Sequence, residues 1–518
     1  MIIIVHRNTQ EISRLYKNGE VLNSQYNTVC NVIWEMAERF PDEIIIWVEE
    51  KFVNLINKPQ LNNIFCNKRI MASYAVDSNF FSHSLGYIDQ MPFININPRV
   101  KYATWLMSTD VGGIFGRTLS YFKSECGDII DFGYLINSIA KKGQQNGLFC
   151  YSHPDLITNA SKCDIHTKAS LKQEFSFVYS NYKTVWVFVF FWCQWRYENK
   201  FPLISFLKCF FRKKKFGIKL NLPFPDKLNE IKINHEDSID VIIPTIGRAE
   251  YLENVLKDLN NQTHLPANVI VIEQHLNGSN SSRIEHLDNN TWKFNLNIIT
   301  LDTAGVCKAR NIGLNLVTSN WIFFADDDIR FSPGLLEKGM TEAAKFDCEA
   351  INMNCKQEGE KTIFHNIKQW GSFGSGTSLV KNKFARKCNF SEIFEEGYGE
   401  DADYGMQLRN LGCDIIYHPE IQILHLKAAS GGFRSIINEE STKSKEFPKP
   451  APTIMAFALR HFTKQQLKGF KLSLFLKFYK EKSILNPFIF LRSMQKRWEL
   501  SEKKAYDLIK MSKSKTEV

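Results

Sequence analysis

The chain has 518 residues, which at roughly 150 residues per domain predicts about three domains. Hydrophobic residues make up 44% and charged residues 23% of the sequence, which excludes a disordered or fibrous protein. The formal net charge is +10, so we expect attraction to an anionic ligand or surface. The 12 cysteines form no CxxC pair, which predicts reduced thiols in the cytoplasm.

The amino terminus lacks the charged, apolar and small-residue order of a secretory signal, and residues 1–6 are expected to open a domain as a strand. The most apolar stretch, Val185 to Trp195, has about eleven residues, roughly half of what a bilayer-spanning helix needs. The sequence therefore predicts a cytoplasmic protein without a spanning helix.

The first region, residues 1–180, mixes short β-rich runs with helical patterns. Ile2 to Val5 and Glu43 to Trp47 predict strands, and the apolar stripe from Val29 to Phe40 predicts a helix between them. This region is therefore expected to be an α/β domain.

Residues 181–237 are expected to form a connector with an aromatic block followed by the basic cluster Arg212 to Lys215. The Pro-containing stretch 222–237 marks the main domain boundary. At the other end of the chain, residues 436–518 form a Lys-rich and aromatic-rich tail.

The third region, residues 238–435, alternates predicted strands and helices. Apolar runs predict strands at Asp240 to Ile243, Asn268 to Ile272, Leu296 to Thr300 and Trp321 to Phe324. Helical spacing from Leu252 to Leu259 and a segment from Val306 to Leu316 predict helices. This alternation is typical of a mostly parallel sheet, in which ligands bind beyond the carboxyl ends of the strands.

Three consecutive carboxylates, Asp326-Asp327-Asp328, directly follow the last of these strands. Adjacent carboxylates repel one another, so they favour a bound cation, and their oxygen ligands suit Mg²⁺ or Mn²⁺. A solvated acidic turn is the alternative at this point.

A second acidic group, Glu400-Asp401, begins a predicted helix after a Gly-rich turn. A carboxylate held there can act as a general base, whereas Asp401 and Asp403 can also simply cap the helix. Both can hold, with Asp403 as the cap. His425 lies on an apolar strand and is either a core residue or a metal ligand.

Five motifs have the order and spacing found in family 2 glycosyltransferases with the GT-A fold. They are Val241 to Arg248, Ala309 to Gly313, Asp326 to Asp328, Gly374 to Gly376, and Glu400-Asp401. The chain resembles that family over about residues 238–430. The resemblance implies a GT-A catalytic domain, a nucleotide-sugar donor, usually a UDP-sugar, and inversion at the anomeric carbon.

The resemblance also implies a role for each matching residue. It implies that the nucleotide-sugar donor is bound by Pro244, Thr245, Arg248, Glu273, Lys308, Arg310, Asp326 and Asp327. It implies Asp326, Asp328 and His425 as ligands of Mn²⁺ or Mg²⁺. It implies Asp401, beside Glu400, as the catalytic base, and Trp370, Gly374 and Gly376 as the floor of the acceptor pocket.

Two segments depart from the family pattern. Glu273-Gln274 stands where an Asp-Asp pair is usual, and Asp302 to Gly305 lacks the usual Asn. Both segments lie on the donor side, so they bear on which base and sugar the protein binds rather than on the reaction class.

The first region carries weak copies of two motifs of the third. Asp131 to Ile136 resembles Asp403 to Leu408, and Tyr151 to Pro154 resembles Tyr417 to Pro419, in the same order. An internal duplication is the interpretation that we favour.

The first region lacks the acidic motifs of the third region. The alignment places Ile129 where Asp401 stands, and no DxD motif follows an early strand. Residues 1–180 are therefore predicted to be a degenerate, non-catalytic GT-A-like domain. A second active transferase with unusual residues is the alternative.

The tail predicts a basic amphipathic helix. Its apolar residues, spaced among lysines, are Leu467, Phe470, Leu474, Phe475 and Phe478. Such a helix suits an anionic membrane interface, and the aromatic block of the connector could do the same. Alternatively, both segments pack on the catalytic domain.

These features together predict a metal-dependent, inverting glycosyltransferase that uses a saccharide or lipid-linked acceptor in cell-surface polysaccharide or glycolipid synthesis. It would work in the cytoplasm, peripherally on the inner face of the membrane. A non-catalytic carbohydrate- or nucleotide-binding assembly subunit is one alternative. A sugar-nucleotide pyrophosphorylase is another, although it would need a Gly-rich basic loop after the first strand. No nucleic-acid-binding module is recognised, so nucleic acid is not an expected partner.

Overall fold

A computed structural model describes most of the chain. The described residues are 1–76, 78–159, 168–212, 214, 217, 220, 222, 237–275, 284–287, 291–395, 397–428, 447–481 and 486–516. The chain divides into two units, of which the first is Met1–Asp226 with Phe462–Leu472 and the second is Lys227–His461 with Ser473–Val518. The expected boundaries at 222–237 and 435 lie largely or wholly outside the described residues.

The first unit is an α/β structure. Its strands are β1 (Ile2–Arg7), β2 (Glu11–Lys17), β3 (Glu20–Val21), β4 (Ile44–Glu49), β5 (Ile70–Tyr74), β6 (Tyr102–Ala103), β7 (Val111–Phe115) and β8 (Phe149–Ser152). Its helices are α1 (Val29–Arg39), α2 (Lys58–Ile64), α3 (Gly116–Ser120), α4 (Lys123–Cys126), α5 (Phe132–Gln145), α6 (Leu171–Asn181), α7 (Val185–Glu198) and α8 (Leu203–Cys209). Short 3-10 helices span Glu50–Leu55, His83–Tyr87, Pro92–Ile94 and Pro154–Leu156. The two strands and the helix expected before residue 50 are confirmed.

The second unit alternates strands and helices as the sequence predicts. Its strands are β9 (Ile239–Thr245), β10 (Asn268–Gln274), β11 (Asn295–Leu301), β12 (Trp321–Ala325), β13 (Ile329–Phe331), β14 (Ala350–Lys356), β15 (Lys368–Gln369), β16 (Thr377–Lys381) and β17 (Ile415–His425). Its helices are α9 (Ala249–Asn260), α10 (Val306–Leu316), α11 (Leu335–Phe346), α12 (Asn382–Ala385), α13 (Glu400–Asn410) and α14 (Pro452–His461). Short 3-10 helices span Glu285–Leu287 and Glu392–Phe394. Two tail helices follow, α15 (Lys464–Glu481) and α16 (Pro487–Thr516).

The second unit is built on a nine-stranded sheet with the order β11-β10-β9-β12-β16-β14-β17-β13, and β15 pairs with β17. Strands β11, β10, β9 and β12 are parallel to one another, and β16 is antiparallel to both β12 and β14. Strand β17 is parallel to β14. It follows that β9, β10, β12 and β17 all end at the same edge of the sheet, which is where an α/β fold of this type binds ligands.

The pairing of six strands is repeated in the first unit, whose eight-stranded sheet has the order β3-β2-β1-β4-β7-β5-β8-β6. From β1 to β6 in this order, the pairs are parallel, antiparallel, antiparallel, parallel and antiparallel. The pairs from β9 to β13 in the second sheet have the same sequence of directions.

The two sheets differ on the other side of the repeated strands. In the second sheet β9 is followed by the parallel strands β10 and β11, whereas in the first sheet β1 pairs with β2 of an antiparallel hairpin. Five of these strands also follow the same order along the chain in both units, whereas β6 follows β5 and β13 precedes β14. The pairing of these five strands is what a duplication predicts. The hairpin takes the place of the strand that carries Glu273 in the second sheet.

The segment expected to be a connector instead contributes helices to the first unit. Inner residues of α7 and α8, among them Val187, Phe190, Cys193 and Cys209, belong to the same hydrophobic cluster as Ile2 of the first strand. The aromatic block has apolar residues on every side of α7, so one side can enter the core while another remains outside.

Two apolar residues of the tail helix α15, Phe475 and Phe478, pack against other residues of the second unit. Phe475 is buried and lies 6.3 Å from the Trp498 ring of α16 in an edge-to-face contact. The Lys449 ammonium lies 3.9 Å from the centre of the Phe478 ring. These contacts favour the packing alternative for this helix. Among the described residues, no helix is both long enough and apolar enough to cross a bilayer.

A buried carboxylate at the start of β9 fixes the beginning of the second sheet. Asp240 accepts hydrogen bonds from the backbone amides of Thr318 and Ser319 at 2.7 and 3.0 Å, and from the Ser319 hydroxyl at 2.6 Å. It also accepts one from the Asn268 amide at 2.7 Å. Although burial opposes ionisation, these donors lower the pKa of Asp240. The network ties β9 to β10 and to the turn before β12.

We expect Asp240→Asn to lower the free energy of unfolding by about 1–3 kcal/mol, because an amide cannot accept all of these donors. Since the pKa of Asp240 is lowered in the folded state, its contribution is present at neutral pH and is lost as the pH falls. Urea unfolding at pH 7 and pH 4 measures both effects. Asp237→Asn is the control, and equal losses in the two variants would contradict a special role for Asp240.

Candidate active site

Candidate residues gather where four strands of the second sheet end. Thr245, Glu273 and His425 lie at or next to the carboxyl ends of β9, β10 and β17, and Asp326-Asp327-Asp328 directly follows β12. This is the convergence that the sequence predicts for a mostly parallel sheet.

Two of the three aspartates are held by residues of the β9–α9 segment. Asp327 accepts hydrogen bonds from the Thr245 hydroxyl at 2.7 Å and from Arg248 at 3.0 Å, and Arg248 also donates to Asp328 at 3.1 Å. Burial raises the pKa of Asp327 to about 6, against the lowering effect of Arg248. The aspartate run is therefore a structured part of the site rather than a solvated turn.

Asp328 and His425 form a second contact of this group. Their Oδ1 and Nε2 atoms are 3.2 Å apart, and the amide of Ala428 donates to the same carboxylate at 3.1 Å. The hydrogen bond with Asp328 raises the pKa of His425. Although burial opposes it, the contact with His425 helps to lower the pKa of Asp328.

The residues predicted as metal ligands are brought together only in part. Neighbouring ligand atoms of an octahedral Mg²⁺ or Mn²⁺ ion are about 3 Å apart, so the Asp328–His425 pair fits two positions on one ion. Asp326 instead pairs with Arg310. Within the described ranges, no three His, Cys, Asp or Glu side chains are grouped as a metal site. This donor set suits an ion that completes its coordination with phosphate oxygens of a substrate.

Asp326 lies between an arginine and a glycine. Arg310 of α10 is buried and donates to Asp326 Oδ1 at 3.0 Å. A Cβ atom added at Gly376 would stand 2.0 Å from Asp326 Oδ2. The absence of a side chain at 376 therefore makes room for the carboxylate of Asp326, whereas the resemblance implied a role in the acceptor pocket.

The predicted base, Asp401, lies in the first turn of α13 and accepts a short hydrogen bond from the Ser375 hydroxyl. Burial raises its pKa to about 6, while the positive charge of Arg310 and the Ser375 hydrogen bond lower it. The carboxylates of Glu400 and Asp326 raise it further. Arg310 thus interacts electrostatically with both Asp326 and Asp401, which are 75 positions apart in the sequence.

Asp403 does not cap α13, contrary to one expectation. Gly399 is the N-cap residue, and Asp403 is buried one turn into the helix. Asp403 accepts hydrogen bonds from His461 at 2.8 Å and from Arg460 at 3.3 Å, both on α14. Because the N-cap residue is a glycine, no N-cap side chain accepts from the amides of this turn. The Gly399 amide instead donates to the Glu400 carboxylate at 3.0 Å.

The remaining donor-side residues occupy the neighbouring strand ends. Glu273 is buried, and its Oε2 atom lies 3.5 Å from His275 Nε2. Pro244 lies in β9 next to Thr245. The exposed Lys308 begins α10 with its Nζ atom 3.2 Å from the Thr303 hydroxyl, rather than beside the aspartates.

On the predicted acceptor side, Trp370 is half-buried and stacks on Tyr417, with ring centres 4.7 Å apart. Gly374 lies in the segment before β16, where an added Cβ would stand 2.7 Å from the Thr377 hydroxyl. Both positions belong to the β15–β16 segment that also carries Ser375.

Two residues of this site were not singled out in the sequence. Ser375 stands between the two glycines of the Gly374 to Gly376 motif, so its position was a usable signal. Glu395 accepts hydrogen bonds from the amides of Cys307 and Lys308 at 2.7 and 3.1 Å and thereby occupies the amino end of α10. It is 87 positions away from Lys308, and no local pattern indicates this contact.

The corresponding edge of the first sheet is filled by its own side chains. His6 and Glu49 end β1 and β4, with His6 Nδ1 3.1 Å from Glu49 Oε2, and both are buried. Asp131, the counterpart of Asp403, caps α5 by accepting a hydrogen bond from the Tyr134 amide at 2.8 Å. His6 Nε2 lies 2.9 Å from the Thr109 carbonyl oxygen, and Glu49 accepts a hydrogen bond from the Asn8 amide at 3.0 Å, so these contacts lie within the first unit.

The family model for glycosyl transferase family 2 matches residues 240–393, which include the aspartate run and the Gly374 to Gly376 motif. The resemblance of this part of the chain to glycosyl transferase family 2 is thereby confirmed. Glycosyl transfer is accordingly the reaction class to which the site is assigned, and the mixed α/β fold agrees with it. Asp401 and His425 lie beyond the matched residues, so their assignment depends on their geometry.

Solved structures similar to this chain include forms of TarS from S. aureus. The structure of TarS 1–349 in complex with UDP-GlcNAc is 16% identical, with a TM-score of 0.37, and the match covers 52% of this chain and 89% of that chain. The longer TarS structure is also 16% identical, with a TM-score of 0.32, covering 52% and 54%. No curated protein matches the chain. At this level the likeness carries no information on the substrate.

We expect the rate of glycosyl transfer to fall as the pH drops through about 6, because Asp401 must be ionised to accept a proton. In Ser375→Ala the hydrogen bond that favours the ionised form is lost, so the acid limb should move up by about half a unit to one unit. The measurement is kcat against pH from 5 to 9.

Ser372→Ala, on the exposed serine of the same segment, is the matched control and should leave the profile unchanged. An unshifted acid limb in Ser375→Ala would show that this hydroxyl does not tune the base.

Proposed function

We propose that this protein is an inverting glycosyltransferase that moves a sugar from a nucleotide donor, a UDP-sugar, to a saccharide or lipid-linked saccharide acceptor. The observation that carries the proposal is the placement of Arg310 between two carboxylates, Asp326 and Asp401, in and beside the segment that matches family 2. One carboxylate suits the donor side, and the other suits the acceptor.

In the proposed reaction, Asp401 takes the proton from an acceptor hydroxyl while that oxygen attacks the anomeric carbon. The bond from this carbon to the diphosphate breaks on the opposite face, so the configuration inverts and the nucleoside diphosphate leaves with the bonding electrons. A pKa of about 6 suits this role, because the group is ionised at neutral pH yet basic enough to accept the proton.

Arg310 has two roles in the proposed mechanism. Its charge keeps Asp401 ionised despite burial, and its hydrogen bond fixes the Asp326 carboxylate against Gly376. Asp401 also lies at the amino end of α13, where the helix dipole favours a carboxylate. These fixed groups would hold the base in place before the acceptor binds, so little reorganisation is needed.

The donor would lie along the ends of β9, β10 and β12, beside Thr245, Glu273 and Asp326. Asp328 and His425 are the side chains that would hold Mn²⁺ or Mg²⁺. When bound, such an ion neutralises charge on the departing diphosphate. Arg248 bonds to both Asp327 and Asp328, and it thereby keeps this segment in one conformation.

For the first unit we propose a degenerate GT-A-like domain that serves acceptor binding, pairing or stability. The repeated strand pairing supports a common origin with the second unit. Its hairpin in place of a parallel strand, the His6–Glu49 pair and the use of Asp131 as a helix cap support the loss of a donor site.

We place the reaction at the cytoplasmic face of a membrane, in cell-surface polysaccharide or glycolipid synthesis. The net charge of +10 supports a negatively charged surface as a neighbour.

Asp401→Asn should lower kcat at least about 10²- to 10⁴-fold, because an amide cannot accept the proton. The affinity for the nucleoside diphosphate should remain within roughly twofold, because Asp401 acts on the acceptor. Nucleotide release from a panel of nucleotide sugars, with Mn²⁺ and candidate acceptors, measures turnover, and calorimetry with UDP measures affinity.

Asp507→Asn, which alters an exposed aspartate of α16, is the matched control. Wild-type turnover in Asp401→Asn would remove this residue from the mechanism. Release of no nucleotide by the wild-type protein with any donor would favour a non-catalytic binding subunit instead.

His425→Ala should raise the Mn²⁺ concentration for half-maximal activity at least about tenfold, since one of the two paired ligand groups is lost. Titration of activity with Mn²⁺, together with electron paramagnetic resonance of bound Mn²⁺, measures the change. His365→Ala alters an exposed histidine of the same unit and should behave as the wild type. An unchanged Mn²⁺ dependence in His425→Ala would mean that the ion is held elsewhere.

A further inference from the structure

Helices α7 and α8 of the first unit expose a large apolar surface. Nine large apolar residues between positions 185 and 211 are each at least 43% exposed: Val185, Phe188, Trp192, Trp195, Phe201, Leu203, Ile204, Leu207 and Phe211. We call this set the α7–α8 surface. Soluble proteins seldom expose so many large apolar side chains together unless the surface binds something.

This surface is an ordered layer of rings. Trp192 and Trp195 meet edge to face at 5.4 Å, and Trp195 meets Phe201 at 5.9 Å. Phe188 meets Phe206 of α8 at 5.3 Å. These contacts join the two helices on the exposed side, while the opposite side of α7 lies in the core of the first unit. The exposed rings are therefore held in place by the fold.

Charge around the α7–α8 surface is almost entirely positive. Residues 183–215 include eight Lys or Arg and a single acidic residue, Glu198, which accepts a hydrogen bond from the Tyr87 hydroxyl. Lys214 donates to the Thr184 hydroxyl at 2.6 Å, so the basic end of this segment returns to the start of α7. An occupant must therefore be apolar where it meets the rings and negatively charged around them.

An anionic lipid bilayer has both properties. Indole rings prefer the boundary between the hydrocarbon and the headgroups, and Lys and Arg are attracted to acidic headgroups. At 14 residues, α7 is about 21 Å long, which suits a helix lying in the interface rather than one spanning the bilayer. A protein partner would need a matching acidic rim, for which nothing in this chain argues.

We propose that the α7–α8 surface docks the protein on an anionic lipid bilayer, with its rings in the interface and its basic residues against acidic headgroups. The proposal goes beyond the catalytic function and does not depend on it, because docking can be measured without donor or acceptor. It also assigns membrane contact to the first unit rather than to the apolar tail residues Leu467, Phe470, Leu474, Phe475 and Phe478, which are buried or half-buried.

The test is flotation of the full-length protein with vesicles of phosphatidylcholine alone or with roughly one phosphatidylglycerol in three lipids, whose negative surface attracts basic residues. We expect at least about tenfold more protein to float with the anionic vesicles at low salt, and this excess should shrink as salt is raised. Quenching of tryptophan fluorescence by brominated lipid should accompany binding.

Two variants separate the apolar and charged contributions. Trp192→Ser with Trp195→Ser should reduce flotation at least about tenfold and remove the quenching that is specific to binding. Lys200→Glu with Lys208→Glu should abolish the preference for anionic lipid, and because both lysines are exposed the fold should remain. Ile130→Ser with Ile363→Ser alters exposed apolar residues elsewhere and is the matched control.

Failure of the wild-type protein to float with anionic vesicles at low salt would overturn the proposal. So would flotation of the Trp192/Trp195 variant at the wild-type level. If the wild type does not float but sediments as a dimer that this variant dissociates, the surface binds a second copy of the chain instead, and the lipid proposal is wrong. Circular dichroism shows that each variant is folded before it is scored.

Discussion

Carboxylates that are gathered at one edge of a sheet repel one another, and this repulsion governs the arrangement of the second unit. Asp326, Asp327, Asp328, Glu400 and Asp401 are all drawn to the region where β9, β12 and β17 end. Arg248, Arg310 and His425 counter this charge through direct contacts. The distribution of these three partners divides the acids into two groups, one around Asp328 and one around Arg310. The chemistry that we propose follows from that division.

The sequence was a good guide wherever local pattern decides structure. Strands β9 to β12 and helices α9 and α10 follow from apolar periodicity, and their carboxyl ends meet because parallel strands leave no other arrangement. The aspartate run was recognisable because it directly follows a buried strand. The basic partner of each carboxylate was harder to predict from the sequence. That Asp326 contacts Arg310 while Asp328 contacts His425 depends on side-chain distances that spacing does not encode.

Other features depended on contacts between distant segments. Glu395 reaches the amino end of α10 from a short 3-10 helix 87 positions later, and Arg460 and His461 reach Asp403 across a stretch outside the described residues. Composition indicates that the aromatic block is apolar, but it does not show which side of each helix is buried. The sequence therefore predicted a connector where α7 and α8 pack on the first unit. Phe190 and Trp192 are nearly adjacent in sequence, yet the first is fully buried and the second is 46% exposed.

The contact between α13 and α14 can form only late in translation, after the whole sheet has been synthesised. All nine strands of the second sheet have been translated once residue 425 has left the ribosome, yet Asp403 receives Arg460 and His461 only some 35 residues later. Until then, the helix that carries Asp401 has a buried carboxylate without these two partners. A nascent chain thus has every strand of this sheet before it can form the contacts that join α13, the helix of Asp401, to α14.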